Sequence, residues 1–187
     1  MRAALAVPLV LVAFAAAAQT PPTTRPTPKV ELDQMLTALG EATSEAMAGR
    51  LEAGIDALWA RSGGPTAALL LGRGSRDLAA GDAAEAVADA DAALALAPDM
   101  AEAYSRRALA RYHGGDVIGA IRDLQEAIRR EPRHFGAWRS LAGIAEAQGN
   151  AAGALAAWKQ LLAIDPKTPG GAVRLKELAK KVEGEES

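Results

Sequence analysis

Apolar residues recur along most of the chain at the three- and four-residue spacing of one helix face. Leu32, Met35, Leu36 and Leu39 mark one stretch, and Leu51, Ile55, Leu58 and Trp59 a second. Val173, Leu175, Leu178 and Val182 mark the last. Between the second and last stretches the pattern repeats. Pro98, Pro132 and Pro166 are spaced by 34 residues and define units at 67–100, 101–134 and 135–168. Gly81-Asp82, Gly115-Asp116 and Gly149-Asn150 fall at unit positions 15 and 16. Gly74, Ala108 and Ala142 share position 8, and Ala86, Ala120 and Ala154 share position 20.

Each recurrence has a physical reading. Glycine accepts the left-handed conformation that ends a first helix, and the following Asp or Asn caps the next. Small residues at positions 8 and 20 let the two helices of a unit approach closely. The proline stops the second helix. Each unit is therefore a helical hairpin that cannot bury its apolar face alone. Arg73 with Asp89, and Arg107 with Asp123, occupy positions 7 and 23, where the third unit carries Leu141 and Ala157. The joint switch predicts a charged bridge across each of the first two hairpins, because charge in a closely packed place is costly unless paired. Positions 4 and 24 hold Leu70 with Ala90, Tyr104 with Leu124 and Trp138 with Trp158, predicted as contacts within each hairpin.

Composition agrees with this all-α reading. Half of the 187 residues are hydrophobic and only 4% are aromatic, a balance that favours close-packed helices over a sheet. With formal net charge −2, the chain lacks the basic surface that nucleic-acid affinity rests on. Zero cysteines exclude disulfides, thiolate zinc sites and cysteine nucleophiles.

The three units resemble the tetratricopeptide repeat family over 102 residues. AEAYSRRALARYHGGDVIGAIRDLQEAIRREP and FGAWRSLAGIAEAQGNAAGALAAWKQLLAIDP carry the likeness best. Tyr104 and Trp138 stand at the family's aromatic position 4, Leu141 at its leucine 7, Leu124 and Trp158 at its bulky 24, and Ala127 at its alanine 27. Leu70 and Leu161 depart from that pattern in the outer units. The resemblance implies a right-handed α-solenoid whose first (A) helices line a concave groove. It also implies a non-enzymatic protein–protein scaffold binding a partner peptide or helix there. By register, the groove residues are Leu71, Ser75 and Leu78; then Glu102, Ser105, Arg106, Leu109, Tyr112 and His113; then Arg139, Ser140, Gly143, Glu146 and Ala147. Leu71, Leu78 and Leu109 would form an apolar floor, Tyr112 an anchor, and Arg106 and Arg139 carboxylate receptors. The family's clamp for chaperone tails has lysine at position 5 and asparagines at 9 and 6. Leu71, Ser75 and Arg106 occupy those places here, so that function is not implied.

The flanks complete the organisation. Arg2, the apolar run Ala3–Ala15 and Ala16-Ala17-Ala18 read as a signal peptide at 1–18, cleaved before Gln19, which predicts export to the bacterial periplasm. A retained membrane anchor is the alternative, although the run falls short of the roughly 20 residues that span a bilayer. Residues 19–30, with four prolines among threonines, read as an extended linker. Residues 31–66 read as a degenerate repeat or helical cap in which Trp59 packs on the first full unit. Gly63-Gly64-Pro65 reads as a helix stop and linker, 169–183 as a solvating helix, and 184–187 as a frayed tail.

No motif carries chemistry. His113 and His134 lie on different segments and read as solvent-facing, one of them lining the groove, so no metal or cofactor is expected. No serine lies in a nucleophile motif. The charge is uneven. The first unit has two basic residues against six acidic, the second seven against five, and the third three against two. Other envelope proteins are the expected partners. Self-association of the acidic unit with the basic one is an alternative, and an envelope hydrolase acting through paired carboxylates a remote one.

Overall fold

The turn residues set the architecture. In the computed structural model, which describes residues 27–185, Gly81, Gly115 and Gly149 take φ of 90°, 86° and 72°. Asp82, Asp116 and Asn150 then accept the N–H of Glu85 (3.3 Å), Gly119 (2.8 Å) and Gly153 (2.8 Å). The described residues form nine helices. These are α1 (Pro28–Gly40), α2 (Glu45–Arg61), α3 (Gly64–Ala79), α4 (Ala83–Leu96), α5 (Ala101–His113), α6 (Val117–Arg130), α7 (Phe135–Ala147), α8 (Ala151–Ile164) and α9 (Gly171–Glu185). Each second helix stops two residues before its proline.

The hairpins α3–α4, α5–α6 and α7–α8 stack in chain order, with α4 on α5, α6 on α7, and α9 on α8. The A helices α3, α5 and α7 share one side and touch in sequence. Small residues permit this approach. A Cβ on Gly74 would lie 3.2 Å from the Asp89 Cβ and 3.3 Å from the Ala86 carbonyl oxygen. Ala108, Ala120, Ala142 and Ala154 are buried at the same kind of crossing. Leu70 and Ala90 share one apolar cluster, Tyr104 and Leu124 another, and Trp138 and Trp158 border the same third cluster.

Both charged bridges form. Arg73 Nε donates to both carboxylate oxygens of the buried Asp89 at 2.9 and 2.7 Å. Arg107 donates to Asp123 at 2.9 and 2.7 Å. Arg111 adds a third bond to Asp123 at 2.8 Å, and Asp91 accepts from Arg107 at 2.5 Å. A buried acid with several charged donors is satisfied in a way that one left alone is not.

The flanks depart from the sequence reading in four places. Thr27 caps α1 through the Val30 N–H, and Pro28 supplies the fixed φ of its first turn, so the last three residues of the expected linker are helical. Gly63-Gly64-Pro65 is not a linker. Gly64, at φ 88°, opens α3 with Pro65 in its first turn, leaving Ser62 and Gly63 as the connection from α2. At the far end α9 runs through Gly184 to Glu185. Trp59 does not pack on the first full unit. Leu36, Leu39, Ile55 and Trp59 instead form one core with Phe135 and Leu161 of the third unit. That unit offers flat aromatic surface, whereas the first offers mainly leucine and alanine. The predicted signal peptide and most of the linker lie outside the described residues.

The bridge at Arg107 should be worth measuring directly. Arg107 side-chain exposure is 17% and that of Asp123 is 4%. Arg107→Ala is expected to cost about 2 kcal/mol, less than an isolated buried pair because Arg111 still reaches Asp123. Denaturant unfolding of Arg107→Ala, Asp123→Ala and the double variant should give a non-zero coupling energy; strict additivity would rule the bridge out.

Candidate functional site

The face built by α3, α5 and α7 carries three hollows. One, of about 250 Å³, lies between α3 and α5 over Leu71, Ser75, Leu78, Arg106 and Leu109, with Ala86 and Ala90 of α4 behind. A second, of about 270 Å³, lies between α5 and α7 over Leu109, Tyr112, His113, Ser140 and Gly143, with Ile144 and Leu124 at its back. Leu109 stands on the ridge between them, 41% exposed, and Tyr112 is 36% exposed. The third, of about 180 Å³, is roofed by Asp56 of α2 and lined by Glu102, Ser105, Arg106, His134, Arg139 and Ser140.

Twelve of the fourteen residues expected on the groove line one or another of these hollows. Ala147 and Glu146 do not. Glu146 accepts from Trp158 at 2.6 Å and pairs with Arg174 of α9, where it lines a separate hollow against the terminal helix. Leu71 is a buried floor, not a surface contact. Arg106 bridges the A helices, donating to Glu102 at 2.5 Å and to Ser75 Oγ at 2.8 Å.

The base of this face is covered by α2, which sequence reasoning did not place. The Trp59 indole stacks on the His134 ring at 4.2 Å between centroids and 11° between planes, and lies 5.1 Å from the Phe135 ring. Glu52 pairs with Arg139, and Asp33 of α1 accepts from Arg133 at 2.6 Å. His134 is therefore not solvent-facing. Its Nδ1 accepts the Ala137 N–H at 3.2 Å and caps α7, so Nε2 carries the proton and donates to Glu102 at 3.0 Å. His113 remains exposed beside Tyr112. The seat of α2 is imperfect. Trp59 Nε1 is buried with no hydrogen-bond partner among the described residues, a penalty of about 1–3 kcal/mol.

The carboxylates at the contact between α2 and the repeats are driven apart. Burial works against the charge on Glu102, but the His134 hydrogen bond and the Arg106 charge hold its carboxyl below the usual range. Burial pushes the Asp56 carboxyl up, with the Glu102 charge adding to it. Burial and the hydrogen bond shared with Asp165 push Glu52 up against the pull of Arg139. Among the described residues no group of three or more His, Cys, Asp and Glu could hold a metal ion. No described helix is long and apolar enough to cross a membrane.

This arrangement, rigid helical hairpins presenting a lined A-helix face, defines an α-solenoid of the protein-interaction type. A tetratricopeptide repeat family model matches residues 71–124 and 119–169. Over 157 residues the chain is 31% identical to a TPR repeat-containing protein of Rhizobium etli, covering 84% of this chain and 77% of that protein. It is 45% identical over 56 residues to mouse tetratricopeptide repeat protein 36, covering 30% of each. The first TPR domain of Spaghetti (RPAP3), solved with an HSP90 peptide, superposes at TM-score 0.58 and 16% identity, over 63% of this chain and 96% of that one. The Sgt2 TPR domain of Aspergillus fumigatus gives 0.58 and 22%, over 64% and 80%. The chain belongs to the tetratricopeptide repeat family.

The raised carboxyl at Asp56 has a definite sign. A group whose folded pKa is raised favours the folded state while protonated, and that support is lost as pH climbs through the folded value. Asp56→Asn, which mimics the protonated form, should therefore raise Tm at pH 7. The gain should shrink as pH falls below the ordinary aspartate pKa of about 3.9. Equal gains at pH 7 and pH 3 in thermal melts would exclude the assignment.

Proposed function

We propose that the chain is a non-enzymatic scaffold of the bacterial cell envelope, exported by its N-terminal segment, that holds a peptide or helix of another envelope protein against its A-helix face. The observation that carries this reading is the pair of apolar hollows on either side of Leu109. Each is large enough for a bulky apolar side chain, and neither has an α2 residue in its lining. Rigid stacked hairpins preform these hollows, so docking costs little ordering of the scaffold. Export rests on the residue pattern Met1–Ala18, and the relative in Rhizobium etli fits a bacterial setting.

The likeness to a domain described with a bound HSP90 peptide supports peptide recognition as a mode, but the chemistry here differs. Leu71 is buried, and Arg106 is engaged by Glu102 and Ser75, so the groove favours apolar side chains over an acidic tail. The hydrolase alternative is disfavoured. Asp56 and Glu102 do share a hollow, but both Glu102 oxygens already accept hydrogen bonds from Arg106 and His134. Self-association is favoured by the acidic first unit and the basic second. It is weakened because Arg107, Arg111, Arg129, Arg130 and Arg133 pair with acids of their own chain.

Two baits test the groove. The native protein should retain an envelope partner from crosslinked extract, and a Leu109→Asp/Tyr112→Ala variant should lose it. Both positions are exposed enough for the fold to survive, with effects on stability within about 0.5 kcal/mol each, checked by circular dichroism. Retention by both baits would move the contact off the A-helix face.

A further inference from the structure

We propose that the seat beneath α2 is itself a binding site for an amphipathic helix of a partner protein that presents one carboxylate and one large aromatic, and that α2 is its internal occupant. This deepens the groove reading and rests on it. The contacts of α2 spell out what the seat recognises. Glu52, Asp56 and Trp59 fall at i, i+4 and i+7 of one helix and so share a side. Glu52 meets Arg139, Asp56 roofs the hollow between Arg106 and Arg139, and Trp59 lies on the rings of His134 and Phe135. The seat thus takes one carboxylate and one large aromatic from a helix laid across α5 and α7, and it works against charge at the Asp56 position, where Glu102 lies in the same hollow.

Three features make the occupant displaceable. The hairpin does not extend the stacked array; it crosses the array's face, and only Ser62 and Gly63 join it to α3. The Trp59 indole N–H is buried without an acceptor, so the docked state carries an unmet polar group whose cost is relieved when the indole reaches water. The seat is also continuous with the open hollows, sharing Arg106 and Leu109 with the first and Leu109 and Ser140 with the second. Release of α2 would widen the third hollow into a groove that runs up to the Leu109 ridge. A protein whose competent state is a minor fraction binds with affinity reduced by that fraction, so release raises affinity without any new contact.

The probe is a fluorescein-labelled synthetic peptide of residues 44–62, standing in for such a helix and titrated by anisotropy into the full-length protein. A Glu52→Arg/Trp59→Ala variant weakens the internal occupant and leaves the seat intact. It should bind the probe at least about tenfold more tightly than the native protein. Adding Arg139→Glu should abolish that gain, and a probe with lysine in place of Glu52 should show none. No gain, a gain indifferent to Arg139→Glu, or equal binding of the lysine probe would overturn the proposal. So would a concentration-dependent dimer of the variant in sedimentation, since the occupant would then be a second copy. If the variant fails to fold, hydrogen exchange on the native protein decides. Amides of α1 and α2 should exchange at least about tenfold faster than those of α5 to α8; a common rate would make the hairpin integral to the fold and end the proposal. Neither measurement uses the envelope partner, so either can fail while the capture at Leu109 and Tyr112 succeeds.

Discussion

Everything in this molecule depends on how a two-helix unit hides its apolar sides. A single hairpin has surface to bury on both flanks and gains little stability alone. Three units in register bury those flanks against one another, and the 34-residue spacing of prolines and Gly-Asp or Gly-Asn turns keeps the register constant. The spacing works because the crossings are made of glycine and alanine, so the backbones approach without large side chains between them. Few aromatics are needed, and those present are concentrated where something other than a neighbouring repeat must be held.

That place is the third unit. One end of the array is closed by α9, with Leu178 buried and Arg174 pairing with Glu146. The other end is treated differently. The N-terminal hairpin turns back over the A-helix face and fastens to the junction of the second and third units, Asp33 on Arg133, Trp59 on His134 and Phe135, and Glu52 on Arg139. Much of the ionic chemistry of the face lies under this hairpin, leaving the open part apolar and flanked by Leu109 and Tyr112. The open hollows therefore offer a partner shape and apolar surface, whereas the region under α2 is built of charge and stacked rings.

The repeats were legible because each signal is local. A glycine followed by an N-cap residue and a proline at fixed distance dictate turns whatever surrounds them. The bridges at Arg73 and Arg107 were legible for a related reason: two positions that change together within one hairpin are neighbours in any copy of it. The position of the first hairpin was not legible. The helix face of Glu52, Asp56 and Trp59 can be drawn from the sequence, but its partner lies some 75 residues away, and nothing local points there. His134 misled for the same reason. It reads as solvent-facing in the sequence, and what buries it, Trp59 above and Glu102 beside it, comes from distant segments. Ser75 and Arg106, placed on the groove by register, meet there as a hydrogen-bonded pair that the register alone could not specify.

The central claim is that the A-helix face, and not the outer B-helix side, is where this scaffold meets its partner. Site-specific photocrosslinking tests it most directly. A benzophenone amino acid is placed at Leu109 in one protein and at Ile118, 67% exposed on α6, in another. Irradiation in the envelope should join a partner to the Leu109 protein and leave the Ile118 protein unjoined. Crosslinks at Ile118 with none at Leu109 would place the interaction on the opposite side of the solenoid and contradict the claim.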